Sequence, residues 1–376
     1  MRKSLSNIIL IGLFSLIPTI LIWLPFLLRL PTFWNIPLPQ NGLATIVANY
    51  DGPLYIVASK TFYNKELIKT NFQFPLTAEY YTAHFPLFPA AIRGFSTVMG
   101  YPYAMLVATI LSGILATYFF HKLISKYVNE RDALFLTFAF SLFPARWLVV
   151  RSVGSADPFF IASVIASIYF FREKKYLLAG IWGALAQLTK SPGILLFIAY
   201  GVYLILPMVK NKLSEIKKAL PIILIPLALL LVFWIYKITQ NDFFAYFHSG
   251  DNIHLFFPPF QIFNYSAPWV GTFWLEEIVF IYLVGAIGIL KLFSKKDYIP
   301  AVFSAIFYFS TLFVSHRDLM RYFLPIVPFM FIAFSDSLIK KEFKIAFGVI
   351  IIPIYLYSLA FISQNVMPIS NWTPFL

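Results

Sequence analysis

Residues 7–29 read NIILIGLFSLIPTILIWLPFLLR, twenty-three residues with no charge before Arg29. At about 1.5 Å of rise per residue a helix of this length crosses the roughly 30 Å hydrocarbon core of a bilayer. Similar runs recur along all 376 residues, 60% of which are hydrophobic and only 12% charged, with 43 Phe and 22 Tyr. The chain is therefore an all-α integral membrane protein, and its apolar runs predict eleven spans. They fall at 7–29, 103–121, 132–149, 156–171, 176–190, 192–208, 219–237, 275–293, 299–314, 322–338 and 345–362. The basic start (Arg2, Lys3) resembles a signal peptide, but the apolar stretch is long and no A-x-A site follows, so a retained first helix is expected.

The formal net charge of +13 suits membrane topology better than nucleic acid. With the N-terminus cytoplasmic, the short inner segments collect 18 of the 29 Lys and Arg, from Arg2 and Lys3 through Lys122, Lys126 and Arg131 to Lys340, Lys341 and Lys344. The C-terminus is then extracytoplasmic, and the location is a multi-pass cell membrane, or the endoplasmic reticulum if the source is eukaryotic. One polytopic domain, 1–376, is expected, with two long outer segments, 30–102 and 238–274. Within the first, PLYIVASKTFY (53–63) reads as an amphipathic surface helix and HFPLFPAAIRGFSTVMG (84–100) as an interfacial helix begun by Pro86 and Pro89. With no cysteine, no disulfide holds the outer loops.

This topology gathers polar residues on the outer face: Asp51, Glu79, His84, Arg93, Arg146, Arg151, Asp157, Lys190, Arg317, Asp318, Arg321 and four of the five histidines. Outer cations run against the insertion bias, and an anionic ligand is one reason to keep them. In SHRDLMRY (315–322), Arg317 and Arg321 lie four apart with Asp318 between them, the spacing of a phosphate clamp held by a carboxylate. Each also has a plainer reading. Asp51 before Gly52-Pro53 is well placed to cap a helix, and Arg146, Arg151 and Lys190 near span ends could snorkel. His248, Asp251 and His254 are loosely spaced for a metal, so a divalent ion is possible in principle but not indicated and no cofactor is expected. Trp269 is either an interface anchor or a platform for a sugar ring.

NYDGPLYIVASKTFY (49–63), AHFPLFPAAIR (83–93), SLFPARWLVVRSVGSADPFFIAS (141–163) and KYLLAGIWGALAQLTKSPGILL (175–196) resemble, in this order, the PIG-V type of GPI mannosyltransferase and its prokaryotic relatives. HRDLMRYFLPIVPF (316–329) is a weaker echo. Asn49-Tyr50 stands where the family usually has tryptophan, Lys190 where arginine is common, and Ser155-Ala156-Asp157 where a Thr-Glu-Ser-like run is usual. The resemblance implies a GT-C-like bundle of about eleven spans that transfers a hexose, mannose by analogy, from a polyprenyl-phosphate donor to a hydroxyl of a lipid-linked or surface-glycan acceptor, with inversion. The partners implied are that lipid donor, a saccharide or glycolipid acceptor and membrane lipid.

The resemblance maps the catalytic base onto Asp51. It makes Arg321, Arg317, Lys190, Arg93 and Arg151 candidates for the donor phosphate, and Glu79, His84, Asp157 and Trp269 candidates for the acceptor or sugar. Another GT-C group, of the lipid A or protein O-mannosylation type, carries an acidic pair after the first helix, where this chain offers a single acid. A lipid or glycan flippase is the alternative from another class, although such proteins usually carry paired halves and charges near the midplane.

Overall fold

The first apolar run forms α1 (Arg2–Leu27). In the computed structural model, which describes residues 2–72, 76–206, 209, 212–264 and 276–376, a two-residue hairpin follows and then helices throughout. The first outer segment contains α2 (Leu43–Val47), α3 (Gly52–Thr61), α4 (Lys65–Asn71) and α5 (Leu87–Phe95). The bundle continues through α6 (Tyr101–Ile124), α7 (Glu130–Leu142), α8 (Ala145–Ser152), α9 (Asp157–Arg172), α10 (Tyr176–Thr189) and α11 (Ile194–Ile205). Next come α12 (Lys212–Lys218), α13 (Leu224–Gln240), α14 (Glu276–Ser294) and α15 (Tyr298–Thr311). The chain closes with α16 (Leu319–Phe323), α17 (Val327–Ala333), α18 (Ser335–Leu338) and α19 (Lys341–Gln364).

All eleven expected spans fall on helices, but six of them are short or broken. Among the described residues, five helices have the length and composition to cross a bilayer, six if the bent pair α7–α8 counts as one. That pair was expected as one straight span. Pro144 has no N–H and crowds the residue before it, so Phe143 turns extended (φ −120°, ψ 139°) and the two helices meet at 70°. The expected span 322–338 is likewise divided, with Pro325 in a 3-10 turn ahead of α17. Helices α9, α10, α11 and α15 have 16, 14, 12 and 14 residues. At about 1.5 Å each these are shorter than the hydrocarbon core is thick.

Helix α9 is buried along most of its length between α6 and α10. Helix α10 also presses on the turn before α13, where a Cβ on Gly180 would lie 2.2 Å from the Pro221 carbonyl oxygen. Such close approach, rather than exclusion of water, holds helices together in lipid. Aromatic packing adds to it, as where Phe120 stacks on Phe140 at 4.2 Å and Phe140 leans on Trp147.

Two expectations change here. Helix α3 was expected to lie amphipathically on the surface, yet nine of its ten residues are buried, because α5 and α6 cover it. Arg151, expected at a phosphate or snorkelling, lies in the core with 1% exposure. Its Nη1 donates to the Ser15 hydroxyl (2.5 Å) and carbonyl (3.1 Å), and its Nη2 to the Ser141 carbonyl (2.8 Å). Arg151 thus ties α1, α7 and α8 together. Arg151→Met is expected to cost about 3 kcal/mol, since hydrogen bonds to a charged group contribute roughly 1.5–3 kcal/mol each and a long apolar chain refills part of the space. An unchanged melting temperature would contradict this structural role.

The helix ends carry two separate ionic clusters. At one end Lys126 pairs with Glu173, Arg172 with Asp297, Lys295 with Asp336 and Lys344 with Asp132. These are the basic residues of the expected inner loops. The other end holds Asp51.

Candidate active site

The turn Asn49-Tyr50-Asp51-Gly52 leads into α3. Asn49 is fully buried, and its amide donates to the carbonyls of Thr45 (3.1 Å) and Ile362 (2.8 Å). Tyr50 is left-handed (φ +48°), an uncommon conformation for a bulky residue that surrounding contacts must hold. Gly52 is required because a Cβ there would meet the Val47 carbonyl oxygen at 2.4 Å. Asp51 occupies the N-cap position, but its side chain makes no capping hydrogen bond. The capping reading therefore fails, and the carboxylate points elsewhere.

It points to Arg321, whose Nη2 donates to Asp51 Oδ2 at 3.2 Å while its Nε donates to Asp157 Oδ2 at 2.8 Å. Asp157, 4% exposed at its side chain, also accepts from Lys190 Nζ (2.5 Å) and from the Ser155 hydroxyl (2.9 Å). Arg321 lies over the Tyr50 ring at 4.5 Å. The Tyr50 hydroxyl donates to Asp318 Oδ2 and accepts from Arg146 Nη1, both at 3.1 Å. Arg146 Nε and Asp318 Oδ1 form an ion pair at 2.8 Å, and the guanidinium rests 3.7 Å from the centre of the Phe361 ring. Three carboxylates and three cations thus interlock without net charge, and Asp51, with its side chain 34% exposed, is the most open of the carboxylates.

Burial alone would raise the Asp51 carboxyl, but the charge and hydrogen bond of Arg321, aided by His84 and Lys190, hold it below the ordinary carboxylate range. Asp318, more deeply enclosed, goes the other way: burial raises it more than Arg146 and Arg321 lower it. His84 Nε2 lies 4.0 Å from Asp51 Oδ2, and its ring sits edge-on to Tyr55. Burial keeps this imidazole neutral, and pushes His316, which accepts the Asp318 N–H, down to about 4.

These two histidines set a pH dependence. An unfolded imidazole takes a proton near 6.5. Between that pH and its lowered folded value, each histidine leaves the unfolded chain with more bound protons, so stability falls as pH drops below about 6.5, down to about 4 for His316. Asp51 acts in the same direction, but only below the ordinary aspartate value of about 3.9. The melting temperature is expected to be lower at pH 5 than at pH 7.5, and the gap to narrow in His84→Gln/His316→Gln. An undiminished gap would contradict the assignment.

The structure brings Asp51, His84, Asp157, Lys190 and Arg321 together and leaves the other candidates out. Arg317 is exposed ahead of α16, so it does not share a helical face with Arg321, and Asp318 pairs with Arg146 instead of supporting an Arg317–Arg321 clamp. Arg93 is exposed in the last turn of α5 and joins none of these pairs. Glu79 is bound to Lys65 at 2.7 Å. Asp157 is too enclosed to reach an acceptor and instead fixes two cations. Trp269 lies outside the described residues. His248 pairs with Asp242, whereas His254 lies against His316. Among the described residues no three His, Cys, Asp or Glu side chains group as metal ligands. Tyr50, Arg146 and Asp318 were not among the expected catalytic, phosphate or sugar ligands, although Asp318 was expected to support Arg317 and Arg321, and Tyr50 stands beside Asp51 in the family motif.

An apolar groove of about 490 Å³ opens between α14, α16–α18 and the Phe143-Pro144 break. Two residues of its wall, Pro144 and Met320, precede Arg146 and Arg321 by two positions and by one.

The family model for dolichyl-phosphate-mannose-protein mannosyltransferase matches residues 83–236, which carry His84, Arg146, Asp157 and Lys190 but not Asp51 or Arg321. It represents the protein O-mannosylation group that the resemblance placed second. No curated protein sequence matches. ArnT from Cupriavidus metallidurans, solved bound to undecaprenyl phosphate, superimposes with a TM-score of 0.56 at 13% identity, covering 94% of this chain and 74% of that one. The apo oligosaccharyltransferase of Archaeoglobus fulgidus gives 0.57 at 13% identity, covering 98% of this chain and 57% of its own. The archaeal AglB with an inhibitory peptide and a dolichol-phosphate gives 0.51 at 14%, covering 98% and 56%. This chain thus spans little more than half of the archaeal enzyme. At these identities the likeness establishes the fold, which is the GT-C fold that the sequence resemblance implied.

Proposed function

We propose, from the premise that this chain is a membrane glycosyltransferase of the GT-C fold, that it moves a hexose, mannose first among candidates, from a polyprenyl phosphate to an acceptor hydroxyl. The acceptor is a lipid-linked or surface glycan, the site faces the extracytoplasmic side, and the anomeric centre inverts. One observation carries this reading: Asp51, part-exposed and making no capping bond, is held by Arg321, the residue that follows Met320 of the apolar groove. The undecaprenyl phosphate and dolichol-phosphate in the similar structures support the donor class. The basic loops at the opposite end support the sidedness, with the N-terminus cytoplasmic and the C-terminus outside.

The chemistry follows from the charges. A phosphate leaves readily, so the reaction needs one base for the acceptor hydroxyl and cations for the charge growing on the leaving oxygen. Arg321 and Arg146 are the cations, with Lys190 beside Arg321 on Asp157. Arg321 is shared with Asp51. As it turns to the donor phosphate, its hold on Asp51 loosens, burial reasserts itself and the carboxylate becomes a stronger base when the donor is in place. Asp157 and Tyr50 orient Arg321, and Asp318 orients Arg146.

The reading is tested by release of polyprenyl phosphate from a panel of polyprenyl-phosphate hexoses by the purified protein; turnover of none would sink it. The groove has its own test. Val284→Trp narrows it without touching the ionic network, and is expected to raise the donor KM roughly tenfold, about 1.4 kcal/mol. An unchanged KM would remove the groove from the lipid's path.

A further inference from the structure

A second cavity, of about 310 Å³, lies behind the turn that carries Asp51, and its walls differ from those of the groove. After α19 the chain folds back. Val366 pairs with Asn49 in a single antiparallel bridge, and the Met367 N–H donates to the Ala48 carbonyl at 2.7 Å. Farther on, Phe375 packs against Phe72, and Lys60 Nζ donates to the Pro374 carbonyl at 2.7 Å. Fastened at both places, the stretch 368–372 arches over α2, and the small side chains of Ala44 and Ala48 leave the space beneath it open.

We propose that this cavity is a subsite for a saccharide unit of the acceptor, an inference that rests on the glycosyl-transfer reading above. Its volume is at the lower end of the roughly 300–1,000 Å³ typical of small-ligand sites. The groove is lined almost wholly by apolar side chains, as an isoprenoid requires. Here the Asn41 amide and the Ser370 hydroxyl stand beside the Trp372 indole. Among the described residues, the Ile369 and Ser370 N–H groups make no backbone hydrogen bond. A flat aromatic with a few convergent polar groups suits a sugar ring, which has an apolar face and a rim of hydroxyls. Ala48, on the wall, is three residues before Asp51, and three residues span at most about 11 Å. A sugar held here therefore leaves the next unit of the same glycan within reach of the base, which makes an oligosaccharide or glycolipid headgroup the fitting acceptor.

The test uses saturation-transfer NMR on the full-length protein in detergent, with mannobiose, lactose and N,N′-diacetylchitobiose as probes. Wild type is compared with Ser370→Trp, which fills the cavity, and Trp372→Ala, which removes the aromatic wall. Both changes lie on the tail, and thermal unfolding checks each fold. At least one probe is expected to bind wild type, with affinity falling roughly tenfold in both variants. No signal from any probe, or equal signals in all three proteins, would overturn the subsite. In parallel, a thermal shift with undecaprenyl phosphate reports the lipid site. Loss of that shift with sugar signals intact sinks the donor reading alone, whereas the reverse sinks the subsite alone.

Discussion

Asp51→Asn is expected to lower glycosyl transfer by roughly a thousandfold, within the range of about 10²–10⁴ for loss of a general base. Asparagine keeps the shape, and it caps helices as well as aspartate does. A purely structural Asp51 would therefore tolerate the change, and the missing capping bond already argues against that role. The side chain is about a third exposed, and ion pairs of that kind contribute little to stability. The melting temperature should accordingly stay close to wild type while polyprenyl phosphate release collapses. Retained turnover in the Asn variant would remove Asp51 from the chemistry.

Arg321 carries the second large effect, and it should appear in stability as well as rate. Its guanidinium bridges Asp51 and Asp157, and Asp157 is almost wholly enclosed. Arg321→Met leaves those carboxylates short of a partner, and breaking a buried pair from one side costs about 3–5 kcal/mol. Transfer should fall by roughly 10²–10³, as when one preorganised donor to a developing anion is lost. Arg321→Lys keeps the charge but not the fork that reaches two carboxylates at once, so it should recover part of the stability and little of the rate. With Arg321 gone, burial is opposed only by His84 and Lys190, and the Asp51 carboxyl rises. The acid limb of kcat/KM, below the ordinary carboxylate range in wild type, should then move to higher pH. An unmoved limb in a folded Met variant would break the link between these two residues.

The sequence made some of this legible and hid the rest for identifiable reasons. The apolar runs fell on helices, five or six of which among the described residues are long enough to cross a bilayer, and the lysines of the expected inner segments gathered at one end of the bundle, because both signals are local. The bend at Pro144 was visible as a proline, but its 70° angle depends on packing. Helix α3 looked amphipathic because its apolar and polar residues alternate at helical spacing, yet Ser59 and Thr61 satisfy their hydroxyls on its own carbonyls and the helix is buried. Sidedness alone was enough to gather Asp51, Lys190 and Arg321. It did not separate Arg146 from Arg151, which lie five residues apart on the same short helix. One meets Tyr50, 96 positions away, and the other meets Ser15, 136 positions away. The contact between Tyr50 and Asp318 was hidden for the same reason, since they lie 268 positions apart.

The account rests on Asp51 acting as a base on the acceptor rather than attacking the sugar itself. The most direct test is the anomeric configuration of the first-formed product, read by proton NMR with the donor identified by the release assay. Inversion relative to the donor is the predicted result, because a single displacement needs only one carboxylate and a good leaving group. Retention would require two displacements through a covalent glycosyl carboxylate, and would contradict the role given to Asp51.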